Sequence, residues 1–399
     1  MPISEDALAT YARLLLEVGV NLAPGQLLQV DAYLEAAPLV RAVAREAYRM
    51  GAFRVDAEYI DPHVSRALTE FGPEESLSWS SPWQLERQAE LARTRGARIQ
   101  ISGHPAPDVM AGLDPKRIAR SLAAEYLRRW TQMVGDRACA WVIAAYPTEA
   151  WATQVFGEPD VERLWRSIQV AVRLDEPDPP EAWRRHVERL RTIALELTRR
   201  RFDALHFEGP GTDLTVGLFQ GCTWGSAGDE TAWGTPVVVN MPTEEVYTSP
   251  DPRRTTGRVR STRPLAHRGT VVRDLEMVFE AGRVIEVRAS EGADVIQSDI
   301  AADEGAARLG EVALVDDASA VGRQNLVFFN TLFDENATCH IAYGNGFDYA
   351  ISDPAERANL NRSGVHVDFM IGGPEVDVTG ITTGGERVPV IRRNRFQIP

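Results

Sequence analysis

Segments with strand and helix periodicity alternate through the first part of the chain, and this alternation restricts the fold more than any other feature. Four short segments have the length and composition of β-strands: residues 27–30, 54–59, 99–102 and 139–145. Between the first two, residues 36–50 have the spacing of an amphipathic helix. Strand, helix and strand with short connections indicate a parallel βαβ unit. We therefore predict an open, mostly parallel α/β sheet.

An acidic, proline-rich segment at residues 175–180 interrupts this pattern and predicts a domain boundary. Its three prolines cannot continue a helix or a central strand. A long amphipathic helix follows at residues 183–201, and the chain then changes to short strands separated by Gly and Asp turns. We predict an α/β domain over residues 1–180 and an α+β domain with a largely antiparallel sheet over residues 181–399.

Composition restricts the partners and the compartment of the chain. The formal net charge is −14, with acidic residues spread along the sequence, so nucleic acid and anionic membranes would be repelled. The amino-terminal segment has no basic region and no apolar run long enough to span a bilayer. Three widely separated cysteines indicate no disulfide framework: Cys139, Cys222 and Cys339. We predict a cytoplasmic protein without nucleic-acid or membrane partners.

Five potential metal ligands lie beside hydrophobic segments of the predicted carboxyl-terminal domain: Glu245, Glu311, His340, His366 and Asp368. A carboxylate or imidazole next to a run such as residues 312–315 is costly to desolvate unless a group such as a divalent cation compensates it. Three carboxylates and two imidazoles are more ligands than one tetrahedral zinc takes. The set predicts two metal ions that share a bridging carboxylate, as in many hydrolases.

Strand geometry restricts which of these side chains can converge. His366 and Asp368 are two positions apart in a predicted strand, so both project to the same face. Glu244 and Glu245 are adjacent, so only one of them can face the metals. We predict that Glu311, which precedes an apolar run, is the bridging carboxylate.

Four segments around these ligands resemble the M29 family of metallo-aminopeptidases, the aminopeptidase T or thermophilic aminopeptidase type. They are NMPTEEVYTSP at residues 240–250, LGEVAL at residues 309–314, NTLFDENATCHIA at residues 330–342 and SGVHVDFMIG at residues 363–372. Their order, spacing and flanking residues all resemble the family pattern. Weaker similarity occurs at residues 19–26, 146–152 and 211–215. The resemblance therefore covers nearly the whole chain.

The resemblance implies a two-domain, homodimeric exopeptidase that acts on peptide substrates with a free amino terminus and removes the first residue. It implies two divalent metal ions (Zn, Co, Mn or Mg) in the carboxyl-terminal domain. Carried over by position, the metal ligands would be Glu245, Glu311, His340, His366 and Asp368, and the match selects Glu245 over Glu244. We therefore predict a hydrolase that uses two metals and an activated water.

The sequence departs from the family at one position that concerns the mechanism. The family places a tyrosine seven residues after the histidine that corresponds to His340, and this chain has Phe347 there. Tyr343 and Tyr349 flank that position, and either hydroxyl could stabilise a tetrahedral oxyanion in its place. We take Tyr349 as the catalytic candidate, with Tyr343 as the alternative.

Glu335 is the second catalytic candidate. Two-metal hydrolysis needs a group that accepts a proton from the attacking water, and an acidic side chain beside the site is the usual choice. Glu335 precedes His340 by five residues and could act as that base or as a further ligand. Equally, residues 334–336 could form a turn or a helix cap with a structural role alone.

A different class of enzyme is the main alternative. His340, His366 and Asp368 alone would form the two-histidine, one-carboxylate site of a mononuclear Fe(II) oxygenase. Ring-cleaving dioxygenases of the dihydroxypyridine type are similar in sequence to the M29 family. Glu245 and Glu311 argue against this interpretation, because a mononuclear iron site does not need them. A non-catalytic scaffold is a third interpretation, which the five retained ligands disfavour.

Overall fold

The amino-terminal part of the chain folds around a parallel sheet. The computed structural model describes residues 3–121 and 123–398. The chain divides into two compact units, of which the first comprises Met1–Trp183 and Gly228–Met241. Its main strands are β1 (Leu27–Tyr33), β2 (Arg54–Ile60), β3 (Ala97–Ser102) and β4 (Ala140–Ala145). They are hydrogen-bonded in the order β2-β1-β3-β4, and every pair is parallel, as predicted.

Helices separate these strands and continue beyond β4. They are α1 (Glu5–Leu14), α2 (Ala37–Arg49), α3 (Pro62–Phe71), α4 (Glu74–Leu77), α5 (Pro82–Arg93), α6 (Pro115–Arg120), α7 (Ala124–Gly135), α8 (Glu149–Phe156), α9 (Val161–Ala171) and α10 (Pro179–Arg200). Helix α2 buries Leu39, Val43 and Ala47, whose spacing places them on one face. Helix α10 begins inside the predicted proline boundary, because a first helical turn needs no backbone N–H from Pro179 or Pro180. Across the described residues, no helix has the length and apolar composition needed to cross a membrane.

The second compact unit comprises Arg184–Ala227 and Pro242–Pro399. The strands that follow β4 in the chain are β5 (Ala204–Gly209), β6 (Thr212–Leu218), β7 (Gly228–Glu230), β8 (Pro236–Val238), β9 (Val246–Thr248), β10 (Pro250–Arg260), β11 (Leu265–His267), β12 (Thr270–Val272), β13 (Glu276–Glu280), β14 (Arg283–Arg288), β15 (Leu309–Leu314), β16 (His340–Gly344), β17 (His366–Met370), β18 (Asp377–Ile381), β19 (Arg387–Arg392) and β20 (Arg395–Phe396). The helices of this unit after α10 are α11 (Ala293–Ile300), α12 (Thr331–Asp334) and α13 (Pro354–Arg357).

Two antiparallel sheets dominate the second unit. The larger has the strand order β14-β13-β10-β6-β5-β18-β19-β20, and the smaller has the order β17-β16-β15-β9. The strand pairs within both sheets are antiparallel. The predicted fold class, a parallel α/β sheet followed by an α+β domain with a largely antiparallel sheet, is confirmed.

Residues 228–241, which hold the β7–β8 hairpin, belong to the first unit, whereas the predicted second domain covered residues 181–399 without interruption. The backbone N–H of Ile143 on β4 donates to the carbonyl of Val239 at 2.8 Å, and that of Met241 donates to the carbonyl of Ile143 at 2.9 Å. These bonds satisfy backbone groups on an edge strand. Because these hydrogen bonds join segments far apart in sequence, no local sequence pattern could predict them.

The smaller sheet has one face in the hydrophobic core of the second unit. Val312 on β15, Ile341 on β16 and Phe369 on β17 are fully buried in the same cluster as residues of the larger sheet. Because side chains alternate along a strand, the neighbours of these three residues project from the opposite face. That polar face carries the predicted metal ligands.

Candidate metal centre

One row of paired residues crosses the polar face of the smaller sheet. Glu311 on β15 pairs with Ala342 on β16, and Ala342 pairs with Asp368 on β17. Directly paired residues of antiparallel strands project to the same face, so the two carboxylates flank Ala342. Its methyl group leaves space above the sheet for larger side chains to approach. His366 lies two residues before Asp368 on β17 and therefore projects to the same face.

A second row lies beside the first. Tyr247 on β9 pairs with Ala313 on β15, and Ala313 pairs with His340 on β16. A small residue again separates two large side chains on one face. Glu245 lies two residues before Tyr247, immediately before β9, and its Oε2 is 3.0 Å from His340 Nε2 on the same face.

The five side chains form two groups that share one carboxylate. In the first group, His340 Nε2 lies 3.0 Å from Glu245 Oε2 and 4.0 Å from Glu311 Oε1. In the second, His366 Nε2 lies 3.1 Å from Glu311 Oε2 and 3.5 Å from Asp368 Oδ1. Each group offers three potential ligand atoms within 4.8 Å of one another. Glu311 directs one oxygen to each group.

Negative charge is concentrated in this cluster. Burial first, and then the carboxylates of Asp368 and Glu245, raise the pKa of Glu311 to about 7, although the hydrogen bond from His366 opposes the rise. Burial also raises the pKa of Glu335 well above its usual value, with further contributions from Asp368 and Glu245. A bound cation would favour the ionised form of these carboxylates.

Both imidazoles direct Nε2 to the carboxylates. His366 Nδ1 donates to the carbonyl oxygen of Asn345 at 2.8 Å, and His340 Nδ1 lies 3.4 Å from the carbonyl oxygen of Thr338. Carbonyl acceptors of this kind set the tautomer and orientation of metal-binding histidines. Burial lowers the pKa of His340, but its ion pair with Glu245 outweighs that effect and raises the pKa to about 10. A cation would therefore have to displace a proton from this imidazole.

The donor set fits divalent cations. Although His340 Nε2 is nearby, Glu245 Oε2 is buried and receives no well-aligned hydrogen bond from the residues that the structure describes. A buried carboxylate oxygen without a donor is costly, and a metal ion would satisfy it. Carboxylate oxygens and imidazole nitrogens are ligands that zinc accepts at about 2.0–2.2 Å, and other first-row divalent ions take the same donor types. The two groups are therefore candidate sites for two cations.

Two further glutamates near the cluster have different surroundings. Glu335 lies in a short 3-10 turn, and the charge of Asp368 acts on it. Glu244 instead accepts a hydrogen bond from the backbone N–H of Ala320 at 3.0 Å, and its other oxygen lies 3.4 Å from His186 Nε2. Glu244 thus has partners outside both ligand groups, whereas the charges of the ligands Asp368 and Glu245 act on Glu335.

The two tyrosines considered for the oxyanion occupy different faces. Tyr343 lies on the core face of β16, and its hydroxyl donates to buried Asp299 at 3.0 Å. It therefore points away from the ligands. Tyr349 stacks on Phe347, and its hydroxyl lies 3.2 Å from the hydroxyl of Tyr247. Of the two predicted candidates, Tyr349 is the one on the side of the ligand rows.

Tyr247 is a residue that the sequence analysis did not single out. It shares a row with His340, and burial, the Tyr349 hydroxyl and the carboxylates of Glu245 and Glu311 all raise its pKa. Its spacing in the sequence does indicate this position. Tyr247 follows Glu245 by two positions, which is the same spacing that predicted a common face for the two ligands on β17.

Gly344 sets how closely β17 approaches β16 beside His366. Its φ is +105°, and an added Cβ would lie 2.1 Å from the carbonyl oxygen of Val365. We expect Gly344→Ala to lower the free energy of unfolding by about 3 kcal/mol and to weaken cation binding, because the strand that carries His366 would shift. Thermal unfolding and metal content measure the two effects.

Gly385→Ala is the matched control for this substitution. Gly385 also has a positive φ, +82°, but an added Cβ would meet no atom within 4 Å. Only the backbone strain remains, so we expect a loss of about 1 kcal/mol without an effect on cation binding. Equal losses in the two variants would contradict the role given to Gly344.

Comparisons with known proteins agree over the full length of the chain. A family model described as thermophilic metalloprotease (M29) matches residues 4–396. Aminopeptidase 2 of Geobacillus stearothermophilus is 39% identical, and Aminopeptidase T of Thermus thermophilus is 40% identical, with 98% of each chain covered in both cases. The solved structure of wild-type AmpT from Thermus thermophilus has a TM-score of 0.93 at 38% identity, and the match covers 99% of this chain and 100% of that one.

Proposed function

The chain belongs to the M29 family of thermophilic metalloproteases and is therefore a peptidase. We propose that it is an aminopeptidase that uses two divalent cations. Membership of the family implies dependence on divalent metal. The number of ions and their ligands are the parts that we infer. The single observation that carries the inference is that Glu311 belongs to both groups of potential ligands.

Glu311 would be the carboxylate that the two cations share. Glu245 and His340 would complete one site, and His366 and Asp368 would complete the other. Zn, Co, Mn and Mg can all be held by carboxylate and imidazole ligands, and availability contributes to the selection. When bound, two such ions polarise a carbonyl group and lower the pKa of bound water.

The proposed substrate is a peptide with a free amino terminus. The relatives are named aminopeptidases, and the buried carboxylates would attract a protonated α-amine. The homodimer that the family resemblance implies and the cytoplasmic location stay predictions.

A pair of substrates tests this proposal. We expect the metal-loaded protein to hydrolyse leucine p-nitroanilide and to leave N-acetyl-leucine p-nitroanilide intact, because the acetyl group removes the charged amine. Release of p-nitroaniline measures both reactions. Equal cleavage of the two substrates would contradict the requirement for a free amino terminus. Cleavage of neither by protein loaded with Zn, Co or Mn would contradict the proposed activity.

Glu335 is proposed as the group that accepts the proton of the attacking water. It is close enough to the ligands for the charges of Asp368 and Glu245 to act on it, and it belongs to neither ligand group among the described residues. A carboxylate beside the water can take its proton during attack and return it to the leaving amine. Tyr349, which the sequence analysis took as the oxyanion donor, lies on the same side of the sheet, with its hydroxyl 3.2 Å from that of Tyr247.

We expect Glu335→Gln to lower kcat by about 10²- to 10³-fold while metal content stays at the wild-type value, because the amide cannot accept the proton. Steady-state kinetics and metal analysis measure the two quantities. Glu304→Gln, at an exposed position, is the control. Loss of a metal ion from Glu335→Gln would make Glu335 a ligand instead, and wild-type kcat would leave it with a structural role alone.

The mononuclear Fe(II) dioxygenase is not favoured. The relatives that cover nearly the whole chain are named aminopeptidases. Glu245 and Glu311 also contribute to a group with His340, and a two-histidine, one-carboxylate iron site would have no use for them.

A further inference from the structure

Tyr247 lies in the ligand row of the smaller sheet but is not part of either ligand group. In that row the residue between Tyr247 and His340 is Ala313, which contributes only a methyl group to the polar face. The phenol of Tyr247 therefore projects from the same face of the sheet as the ligands, and no large side chain separates it from His340 along the row. Tyr247 also lies two residues from Glu245, one of the proposed ligands.

The backbone of Tyr247 is held on both sides. Its N–H donates to the carbonyl of Gly225 at 3.1 Å, and the N–H of Gly225 donates to the carbonyl of Tyr247 at 2.8 Å. On the other side it pairs with Ala313 of β15. The phenol packs directly over Gly225, where an added Cβ would lie 2.7 Å from Cζ and 3.0 Å from the hydroxyl oxygen. A group held this way on a sheet keeps its orientation better than a group on a loop.

Aromatic contacts connect the Tyr247 ring to the ligands through Phe347. The Tyr247 ring meets Phe347 edge to face, with centroids 5.5 Å apart and an interplanar angle of 71°. The Phe347 ring lies 5.3 Å from the imidazole of His366, a proposed ligand. The hydroxyl of Tyr349 lies 3.2 Å from that of Tyr247. Phe347 thus links the phenol to the metal centre, and Tyr349 gives its hydroxyl a polar partner.

We propose that the Tyr247 hydroxyl is the catalytic hydrogen-bond donor to the tetrahedral oxyanion, and that Tyr349 is a positioning residue that acts through Tyr247. This inference rests on the proposed aminopeptidase function and adds a residue to the same site. It assigns a specific task to each of two hydroxyls that lie within hydrogen-bonding distance.

The hydrolysis balances without a proton from the phenol. The water oxygen bonds to the scissile carbonyl carbon, the π electrons of the carbonyl move onto its oxygen, and Glu335 takes the water proton. An electron pair of the oxyanion then re-forms the carbonyl bond as the C–N bond breaks, and the C–N electron pair goes to the amine nitrogen, which takes the proton from Glu335. A phenol has an ordinary pKa of about 10, so Tyr247 keeps its proton and donates one hydrogen bond while the oxyanion exists.

Tyr247→Phe tests the donor role. We expect kcat to fall by about 100-fold with KM and metal content unchanged, because a donor to the oxyanion acts mainly in the transition state. The inhibition constant of a phosphonate analogue of a dipeptide, which has a tetrahedral anionic centre, should rise with the loss in kcat/KM. Tyr343→Phe is the matched control, since it removes a phenol on the opposite face of the same sheet and should leave kcat unchanged.

Tyr349→Phe tests the positioning role. If Tyr349 acts through the Tyr247 hydroxyl, its loss should lower kcat less than Tyr247→Phe does, and the double variant should match Tyr247→Phe alone. Fully additive losses in the double variant would overturn the positioning role. The double variant Tyr247→Phe, Phe347→Tyr exchanges the two residue types. Its kcat should exceed that of Tyr247→Phe alone, because the rings at positions 247 and 347 are in contact.

Two results would overturn the donor role. One is a Tyr247→Phe variant with the same kcat as the wild-type protein, when the wild-type protein cleaves leucine p-nitroanilide. The other is loss of metal from Tyr247→Phe, which would give Tyr247 a structural role in the centre. An inactive metal-loaded wild type contradicts the proposed function itself, so the two failures can be distinguished.

Discussion

Glu311→Gln will lose bound metal and lower kcat/KM by about 10³-fold, which corresponds to about 4 kcal/mol of transition-state stabilisation. Glutamine keeps the volume of the side chain but not the charge that both ligand groups share. Because Glu311 Oε1 faces His340 and Oε2 faces His366, one substitution affects both sites. His340→Ala removes a ligand from one group only, so it should also abolish activity while one ion is retained.

Glu244→Gln is the matched control for this experiment. Glu244 is as buried as Glu311 and adjoins a proposed ligand, but its carboxylate accepts the N–H of Ala320. An amide oxygen can accept the same hydrogen bond, so metal content and kcat/KM should stay at the wild-type values. Wild-type metal content in Glu311→Gln would contradict the bridging assignment, whatever the effect on activity.

Removal of metal has the second large effect that we expect. A chelator will abolish hydrolysis of leucine p-nitroanilide, and addition of Zn, Co or Mn will restore it with about two ions bound per chain. Metal will also stabilise the fold. At a free concentration of 100 times Kd, each independent site adds about 2.7 kcal/mol to the free energy of unfolding. Metal analysis and thermal unfolding with and without chelator measure both effects.

The stabilisation by metal should grow as pH rises. In the metal-free protein, the pKa of Glu311 is raised from 4.5 to about 7 and that of His340 from 6.5 to about 10. The folded state therefore holds extra protons between about pH 4.5 and 10, and its stability falls as pH rises through that window. Cations replace those protons, so the difference between metal-bound and metal-free protein should widen from pH 6 to pH 8, as judged by thermal unfolding at about those two values. If the difference in stability between metal-bound and metal-free protein narrowed over this pH range, the predicted pH dependence would be wrong. Full activity with about one ion per chain would contradict the predicted number of ions.

Local patterns predicted the four strands of the parallel sheet and the helix between the first two, because strand and helix periods depend on neighbouring residues. The predicted strand at residues 54–59 corresponds to Arg54–Ile60, and the predicted helix at residues 36–50 corresponds to Ala37–Arg49. Strand β9 was not predicted. Its three residues, Val246–Thr248, are too few for a period to indicate a strand by themselves, and its pairing with β15 joins segments distant in sequence. The two-residue spacing from Glu245 to Tyr247 was therefore not interpreted as a common face.

The class of fold and the set of candidate ligands were predictable from the amino-acid sequence, because apolar periodicity and the types of side chain available are local properties of the chain. Which of those side chains meet depends on strand pairing. The register of β9, β15 and β16 joins segments distant in sequence, and a shift of one residue would turn the ligands of a strand into the core. That register places Tyr247 in a ligand row and directs Tyr343 to Asp299, and it leaves Glu311 between two groups of ligands. No period along a single strand contains this information.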